Sequence, residues 1–545
     1  MTEPLKKDVR WNGGILAAFD RTVSARPSGP AIHYFDQSLS FSELDDLASA
    51  FAGGLKGLGV QPGDRVALIL QNVPQFLIAL LGSWRAECIA VPLNPMYRKR
   101  ELNHHLCDSG ARVVVCLESI FEEVKAASTG SNVDFLVTTS EVEWLGSQIP
   151  SLLLHADRYP CSGSIRFHEL LESGKGRSDV ARSASSSMPA LLSYTSGTTG
   201  VAKGAVISHG NIAFSSAFVR EWLELSPDDV IAGIAPLFHI TGLITYVTVS
   251  MQAGSSILLN YRFDAPTVLE LASTLGATCT VAPITAYTAF LDYPDAARFA
   301  FSSLRKAVSG GAPVASATVR RFDELTGVYI HNAYGLTETT SVALRVPLGD
   351  EAPIDRESGA LSVGIPLPRT EIAIVDPESG REVADGTVGE ISIRGPHVVL
   401  GYWGDPNRTS EAIQEGWLRT GDLGKRDVEG WFYVIDRAKD VINASGFKIW
   451  PREVEDVLYE CSCVKEACVV GQEDAYRGET VVGYVVLREG HVSTEAELIE
   501  HCRSILAVYK CPRSIVFVDS LPKTASGKLL RREIRDRAHP KVSLS

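Results

Sequence analysis

Along its first third the chain switches repeatedly between two hydrophobic periods. "SELDDLASAFAGGLKGLGV" sets its apolar residues at helical spacing and opens on a capping residue, Ser42. "DRVALIL" is a continuous apolar run of strand length, and "PQFLIALLGSWRAE" is helical again. Strand-like "CIAVPLN", helical "RKRELNHHLCDSG" and strand-like "ARVVVCL" continue the alternation, with His104 and His105 facing solvent on a polar helix. Strand and helix in alternation predict right-handed crossovers, hence a mostly parallel sheet with helices on both faces. The texture returns from about Ser208 to Tyr329 and predicts a second such sheet. No short-period repeat accompanies it.

Between the two, "GKGRSDVARSASSSMP" is small, polar and unperiodic, and reads as an exposed connection. From about Ala352 to Asp436, short strands such as "EIAIVD" and "EISIRG" alternate with Gly and Pro turns, the pattern of a compact β subdomain. A last unit of mixed strands and helices follows "VIDRAKDVINASG", with the polar "DRAKD" as the boundary. The expected fold class is α/β. Residues 1–436 form a large N-terminal domain of two doubly wound, mostly parallel sheets, with the β subdomain at about 352–436. Residues 437–545 form a small α+β domain.

Composition excludes more than it selects. A net charge of −13 disfavours nucleic-acid binding and electrostatic docking on anionic lipid. The stretch "VALILQNVPQFLIALLGSW" is interrupted by Gln71, Asn72, Pro74 and Gln75, and so reads as strand plus helix, with no transmembrane segment expected. "MTEPLKKDVRWNGG" lacks the apolar core of a secretory signal and "KVSLS" is no peroxisomal address, which makes the cytoplasm the expected location. The ten cysteines contain no Cys-x-x-Cys, and Cys461, Cys463 and Cys468 have no His at ligand spacing. Reduced, mostly buried thiols are expected in place of a metal site.

One stretch carries chemistry: "SYTSGTTGVAKG", Ser193 to Gly204. Gly197 and Gly200 let main-chain N–H groups converge on an anion, Thr195, Ser196, Thr198 and Thr199 add hydroxyl donors, and Lys203 adds positive charge. The P-loop of nucleotide hydrolases does not fit. Counted from Gly197, its second Gly falls on Ala202, and Gly204 follows Lys203 where a magnesium-binding hydroxyl belongs. Taken alone, the stretch also fits a polar surface turn.

It does not stand alone. "PLFHITG" at Pro236, "SGGAP" at Ser309, "YGLTET" at Tyr334, "GWLRTGD" at Gly416, "DRAKDVINASGFKI" at Asp436 and "PKTASGK" at Pro522 follow in order. With them the chain resembles the acyl-adenylate-forming superfamily, which includes acyl-CoA synthetases, peptide-synthetase adenylation domains and beetle luciferases; the resemblance runs from Phe41 to Arg535. It implies ATP-dependent conversion of a carboxylic acid to acyl-AMP, then attack by the coenzyme A thiol to give acyl-CoA, AMP and pyrophosphate. A carboxylate is a poor electrophile until it is joined to AMP. Because that first step brings two anions together, the site must supply positive charge and rigid donors at the α-phosphate.

The resemblance also assigns roles. Lys528 bridges the carboxylate and the transferring phosphate, Glu338 is the Mg2+ ligand, and Thr337 bonds phosphate. Thr195, Ser196, Gly197, Thr198, Thr199, Gly200 and Lys203 clamp the β- and γ-phosphates of ATP, while Asp422 accepts from the ribose hydroxyls beside a second nucleotide contact, Arg437. Gly310, Gly311, Ala312 and Pro313, with Asn332, Ala333, Tyr334 and Gly335, wall the adenine and begin the acyl pocket; His239, Thr241, Ser309 and Gly311 line it. A side chain at Gly311 would obstruct a planar ligand. The small domain is mobile in this family, turning on a hinge that falls at Lys439. One orientation delivers Lys528, and the other brings Ser445, Gly446 and Phe447 to the pantetheine channel, with Arg262 on a coenzyme A phosphate. Ala202 departs from relatives that carry Pro there; Ala loosens the loop and adds a donor, with a modest expected effect on ATP affinity.

The positions expected around the acid are mostly small or apolar: His239–Thr241, Ala282–Tyr287, Ser309–Gly311 and Asn332–Tyr334. They offer no Asp or Lys to pair the charged ends of an amino acid. "VPLNPMYRKRELNHHLCDSGARVVVC" resembles bacterial fatty-acyl-CoA ligases, so a medium- or long-chain fatty acid is the expected substrate, with an aryl or alicyclic acid as the alternative. Transfer to a separate carrier protein stays open, since the 25 residues after Ser520 cannot hold a carrier domain. A non-catalytic nucleotide-binding scaffold is the alternative of another class. A homodimer is compatible with all of these.

Overall fold

The alternation read from the sequence becomes two sheets packed into one apolar core. The structure, a computed structural model, describes residues 11, 14–177, 179–195, 202–293, 303–437, 440–444, 447–474, 478–524 and 528–538. A seven-stranded sheet runs in the order Ile165–Arg166, Phe135–Thr139, Val113–Leu117, Arg65–Ile69, Ile89–Pro92, Pro189–Thr195, Lys203–Ser208. Its strands are parallel except for the final pair, which is antiparallel. Arg65–Ile69 and Val113–Leu117 are almost wholly apolar because helices cover both faces of a parallel sheet.

A nine-stranded sheet follows the order Ile365–Pro366, Ser341–Arg345, Ile330–Leu336, Lys306–Gly310, Cys279–Ala282, Val230–Ala232, Ser256–Leu259, Pro30–Tyr34, Gln37–Ser40. It is parallel through its middle and antiparallel at both edges. The sheets are not separate halves in sequence. Pro30–Tyr34, before the first helix of the alternation, pairs with Ser256–Leu259 of the second sheet.

The helices form where the periodicity places them, at Phe41–Gly57, Pro74–Arg85 and Lys99–Ser109. Two expectations change. The first helix is capped by Ser40, not Ser42: the Ser40 hydroxyl accepts from the Glu43 amide and the Glu43 carboxylate accepts from the Ser40 amide, a full capping box. His105 does not face solvent. It is buried, its ring stacked on Tyr97 with centroids 4.9 Å apart and set edge-on to Tyr194 at 4.5 Å.

A third, antiparallel sheet spans Glu371–Val375, Gly389–Arg394, Trp417–Arg426, Ile413–Gln414 and Phe432–Arg437. The last sheet holds Phe447–Ile449, Ile442–Ala444, Gly478–Leu487, Val464–Asp474 and Ser514–Phe517. With helices Pro451–Glu460 and Glu495–Ile505 it encloses its own core, centred on Ile449, Val454, Leu458, Val469 and Val485. All ten cysteines are free, six of them buried, and no metal-ligating cluster is present among the described residues. No helix of the described residues is long and apolar enough to cross a membrane.

Candidate active site

Strands Lys306–Gly310 and Ile330–Leu336 run parallel, with Ser309 opposite Asn332 and Gly310 opposite Ala333. Both motifs expected around adenine therefore start at the carboxyl end of one sheet, the usual ligand-binding edge of such folds. Gly311 has φ +79°, and a Cβ there would meet no protein atom within 4 Å, so the position opens onto free space. Pro313 is exposed beside it and Ala312 half-buried. Asn332 is buried and its Nδ2 donates to the Ser362 carbonyl at 3.0 Å. Ser309 is fully buried, and its Oγ has no hydrogen-bond partner among the described residues. Tyr287, expected near the acid, is instead committed to the core behind the sheet, its hydroxyl donating to the Val308 carbonyl at 2.9 Å.

Tyr334 links these strands to Asp422, the residue expected at the ribose. Its hydroxyl donates to Asp422 Oδ2 at 2.7 Å, and both side chains are buried. Asp422 stands on Trp417–Arg426 in register with Arg437 on Phe432–Arg437. Tyr334, Asp422 and the Arg437 backbone thus converge from three strands.

Ile330–Leu336 ends in one 3-10 turn, Thr337–Thr339, after which Thr340 and Ser341 take φ of 48° and 83°. Such backbone persists only where its surroundings hold it. Here the Thr339 hydroxyl accepts from the Leu336 amide at 2.8 Å and donates to the Ser341 carbonyl at 2.9 Å, and the Thr340 hydroxyl donates to the His397 carbonyl at 2.8 Å. The turn packs Thr337 and Glu338, both half-buried, against Pro189–Thr195 and Lys203–Ser208.

Those two strands frame the phosphate loop. Thr195 pairs with Lys203 in an antiparallel ladder, so the loop closes a hairpin, whereas a hydrolase P-loop leads from a strand into a helix. Ser196, Gly197, Thr198, Thr199 and Gly200 lie outside the described residues, as do Lys439, Ser445, Gly446 and the side chains of Arg437 and Phe447.

The sequence did not single out Tyr402. Segment 400–403 pairs with the strand carrying Lys203, through Leu400 N–H to the Val206 carbonyl at 2.9 Å and Trp403 N–H to the Gly204 carbonyl at 2.8 Å. This puts the Tyr402 hydroxyl on Glu338 Oε1 at 2.9 Å and its ring 5.2 Å from the Lys203 ammonium. Burial, then the Glu338 charge, push the phenol up, so it stays a donor. Tyr402→Phe is expected to raise KM for ATP by about three- to tenfold, the net worth of one ordinary hydrogen bond, while KM for the acid stays put. Pyrophosphate exchange titrated against each substrate checks this.

Asn72 was equally silent. It follows Arg65–Ile69, and its buried amide donates to the Gly233 and Ala235 carbonyls at 3.0 and 3.1 Å and accepts from the Leu237 amide at 2.9 Å. One side chain of the seven-stranded sheet thereby holds the segment leading to His239. His239 Nδ1 accepts from the Thr241 amide at 3.2 Å, which leaves the neutral ring its proton on Nε2. The chain then enters a π-helix, Leu243–Thr248, with the Thr245 hydroxyl on the Thr241 carbonyl at 2.8 Å. Arg262 is exposed, 6.0 Å from the Tyr261 ring.

Lys528 stands in the last unit, and its charge acts on His239. A turn joins its carbonyl to the Thr524 amide at 2.8 Å and its amide to the Thr524 hydroxyl at 3.1 Å, with Lys523 bridged to Leu529. Burial, and then the Lys528 charge, push the His239 imidazole down to about 4. A histidine so weakly basic is a poor general base at neutral pH and stays neutral with one donor. The structure thus joins His239 to Thr241 within the field of Lys528, and gathers Glu338, Thr337, Lys203 and Thr195 elsewhere.

Comparison with known proteins agrees with this geometry. The AMP-binding enzyme family matches residues 19–403, and the AMP-binding enzyme C-terminal domain matches residues 453–528. The chain is 34% identical to a long-chain-fatty-acid–CoA ligase of Yersinia pestis, covering 98% of this chain and 96% of that one. It is 33% identical to a feruloyl-CoA synthase of Amycolatopsis sp, covering 95% and 97%. Among solved structures, an anthranilate CoA ligase in complex with anthranoyl-AMP superposes with a TM-score of 0.88 at 26% identity, covering 98% of this chain and 99% of that one. The chain belongs to the AMP-binding enzymes of the acyl-adenylate-forming superfamily and is an AMP-forming acid–CoA ligase.

Proposed function

We propose that the acid is a medium- or long-chain fatty acid, joined to AMP at the Lys528–His239 pocket and then transferred to coenzyme A. The observation that carries the mechanism is the Lys528 charge acting at His239; the other lysine of the "PKTASGK" turn, Lys523, is paired with Glu466. There the ammonium offsets the repulsion between carboxylate and α-phosphate. Asp422 accepts from the ribose diol, and Lys203, with the phosphate loop, holds the departing pyrophosphate.

Glu338 suits the magnesium that accompanies ATP. Its carboxylate is half-buried, one oxygen is oriented by a neutral hydroxyl, and magnesium takes few protein oxygens beside phosphate. The metal would neutralise phosphate charge. Residues 1–436 and 437–545 act as two bodies turning at Lys439, a reading supported by the separate core of the last unit. Ten free cysteines suit a reducing cytoplasm.

The fatty-acid reading draws on the long-chain relatives and on a pocket whose histidine is neutral and whose other expected positions are uncharged. A second reading, an aryl acid, has its own support. The Ser309 hydroxyl is buried without a partner among the described residues, which suits a substituted ring, and the feruloyl relative is about as similar as the fatty-acid ones. A panel from octanoate to palmitate, with benzoate and ferulate, separates them when the thioester is detected by mass. The fatty-acid reading expects kcat/KM to rise by up to about fourfold per added methylene until the pocket is full. Preference for ferulate would replace it with the aryl reading. Acid-dependent exchange without a thioester on free coenzyme A would point to a separate carrier protein.

A further inference from the structure

Three residues beyond Lys528, Arg531 opens the helix Arg531–Ala538 and is largely buried among carboxylates. Its Nη1 lies 3.3 Å from Asp436 Oδ1 and 4.0 Å from Asp440 Oδ2, and its Nη2 pairs with Glu455 Oε2. Asp436, only 2% exposed, also accepts at Oδ2 from the Arg452 amide at 3.3 Å, and Arg452 Nη1 donates to the Val434 carbonyl at 2.6 Å.

These carboxylates do not belong to one body. Asp436 sits on Phe432–Arg437, laddered opposite Leu423 in the antiparallel sheet that carries Asp422. Asp440, Glu455, Arg452 and Arg531 all follow Lys439. A rotation there carries Arg531, Asp440 and Glu455 together and parts them from Asp436. Arg531 then keeps two carboxylates and Arg452, which gives up the Val434 carbonyl, keeps Asp456 at 3.7 Å, so the separation leaves no buried guanidinium without a partner, which would be prohibitive. Asp436 loses its contacts with Arg531 and the Arg452 amide. The arrangement favours one orientation yet can open.

We propose that the Asp436–Arg531 pair is a latch for the adenylating orientation, a positioning device that ties the Lys528 turn to the strand preceding the hinge. It rests on the reading of Lys439 as the hinge. Asp436→Asn tests it, since Asn still accepts from the Arg452 amide and only the charge is lost. Acid-dependent pyrophosphate exchange should fall about tenfold, a typical coupling between two states. KM for ATP and acid should hold within about twofold, and thioester formation from supplied acyl-AMP should be unchanged or faster. Glu455→Gln, a change on one side of the hinge, should not split the half-reactions. Arg531→Gln, read in the same way, gives an independent second variant, and thermal melting reports on folding. Equal loss of both half-reactions in Asp436→Asn and Arg531→Gln would show a merely structural pair, and no loss in either would remove the latch. Lys439→Pro separates the two ideas. If it blocks thioester formation while Asp436→Asn leaves exchange untouched, the latch alone is wrong; if it spares both half-reactions, the hinge reading is wrong.

Discussion

Lys528→Ala is expected to lower acid-dependent pyrophosphate exchange by about 10²–10³, the usual cost of removing one preorganised charge contact at a developing anion. Adenylation needs positive charge between carboxylate and α-phosphate, and the Lys528 charge is felt at His239 while the Lys203 ammonium stands 5.2 Å from the Tyr402 ring. Lys203 is therefore not positioned to replace it. Thioester formation from supplied acyl-AMP should stay within about twofold, because the bond to phosphorus has already formed. A second readout follows from electrostatics. With the ammonium gone, the His239 pKa should rise from about 4 yet stay low, since burial is the larger cause. Exchange at the wild-type rate in Lys528→Ala would overturn the assignment.

The second large effect is expected from Gly335→Ala. A Cβ on Gly335 would lie 1.6 Å from the Ser341 carbonyl oxygen and 3.0 Å from Val342 Cα, both backbone atoms. The ladder is irregular there, with a shift between Tyr334 and Gly335, and Ser341 already holds φ 83°. Relief requires moving the strand Ser341–Arg345 or the turn that carries Thr337 and Glu338. The loss in stability should be about 1–3 kcal/mol, as for other overpacked sites, and exchange should fall by more than about tenfold as Glu338 leaves Tyr402. Urea unfolding and exchange on the same preparation check both. A variant that unfolds at the wild-type midpoint and exchanges normally would show that this turn does not set the site.

What could be read from the sequence was what local spacing encodes. The phosphate loop, the "YGLTET" turn and the "PKTASGK" turn are contiguous, so their residues could be named without knowing the fold. The Ser40 cap was also legible, because Glu43 stands three residues after Ser40 and completes the capping box that Ser42 cannot. Long-range contacts were not. Tyr402 meets Glu338 from 64 residues away and Asn72 holds the backbone of Gly233 from 161 residues away, with nothing nearby to flag either. His105 misled because its neighbours in sequence are polar, while Tyr194, which helps bury it, comes from a distant strand. Pro30–Tyr34 likewise enters the second sheet through a pairing no periodicity announces.

The central claim is that this chain adenylates a carboxylic acid before any thiol reacts. Pyrophosphate exchange into ATP by the unmodified enzyme, run with and without a fatty acid and with no coenzyme A, tests that order directly. Exchange is expected to need the acid and not to need coenzyme A. Exchange without acid, or acyl-CoA formed by an enzyme that never exchanges pyrophosphate, would contradict it.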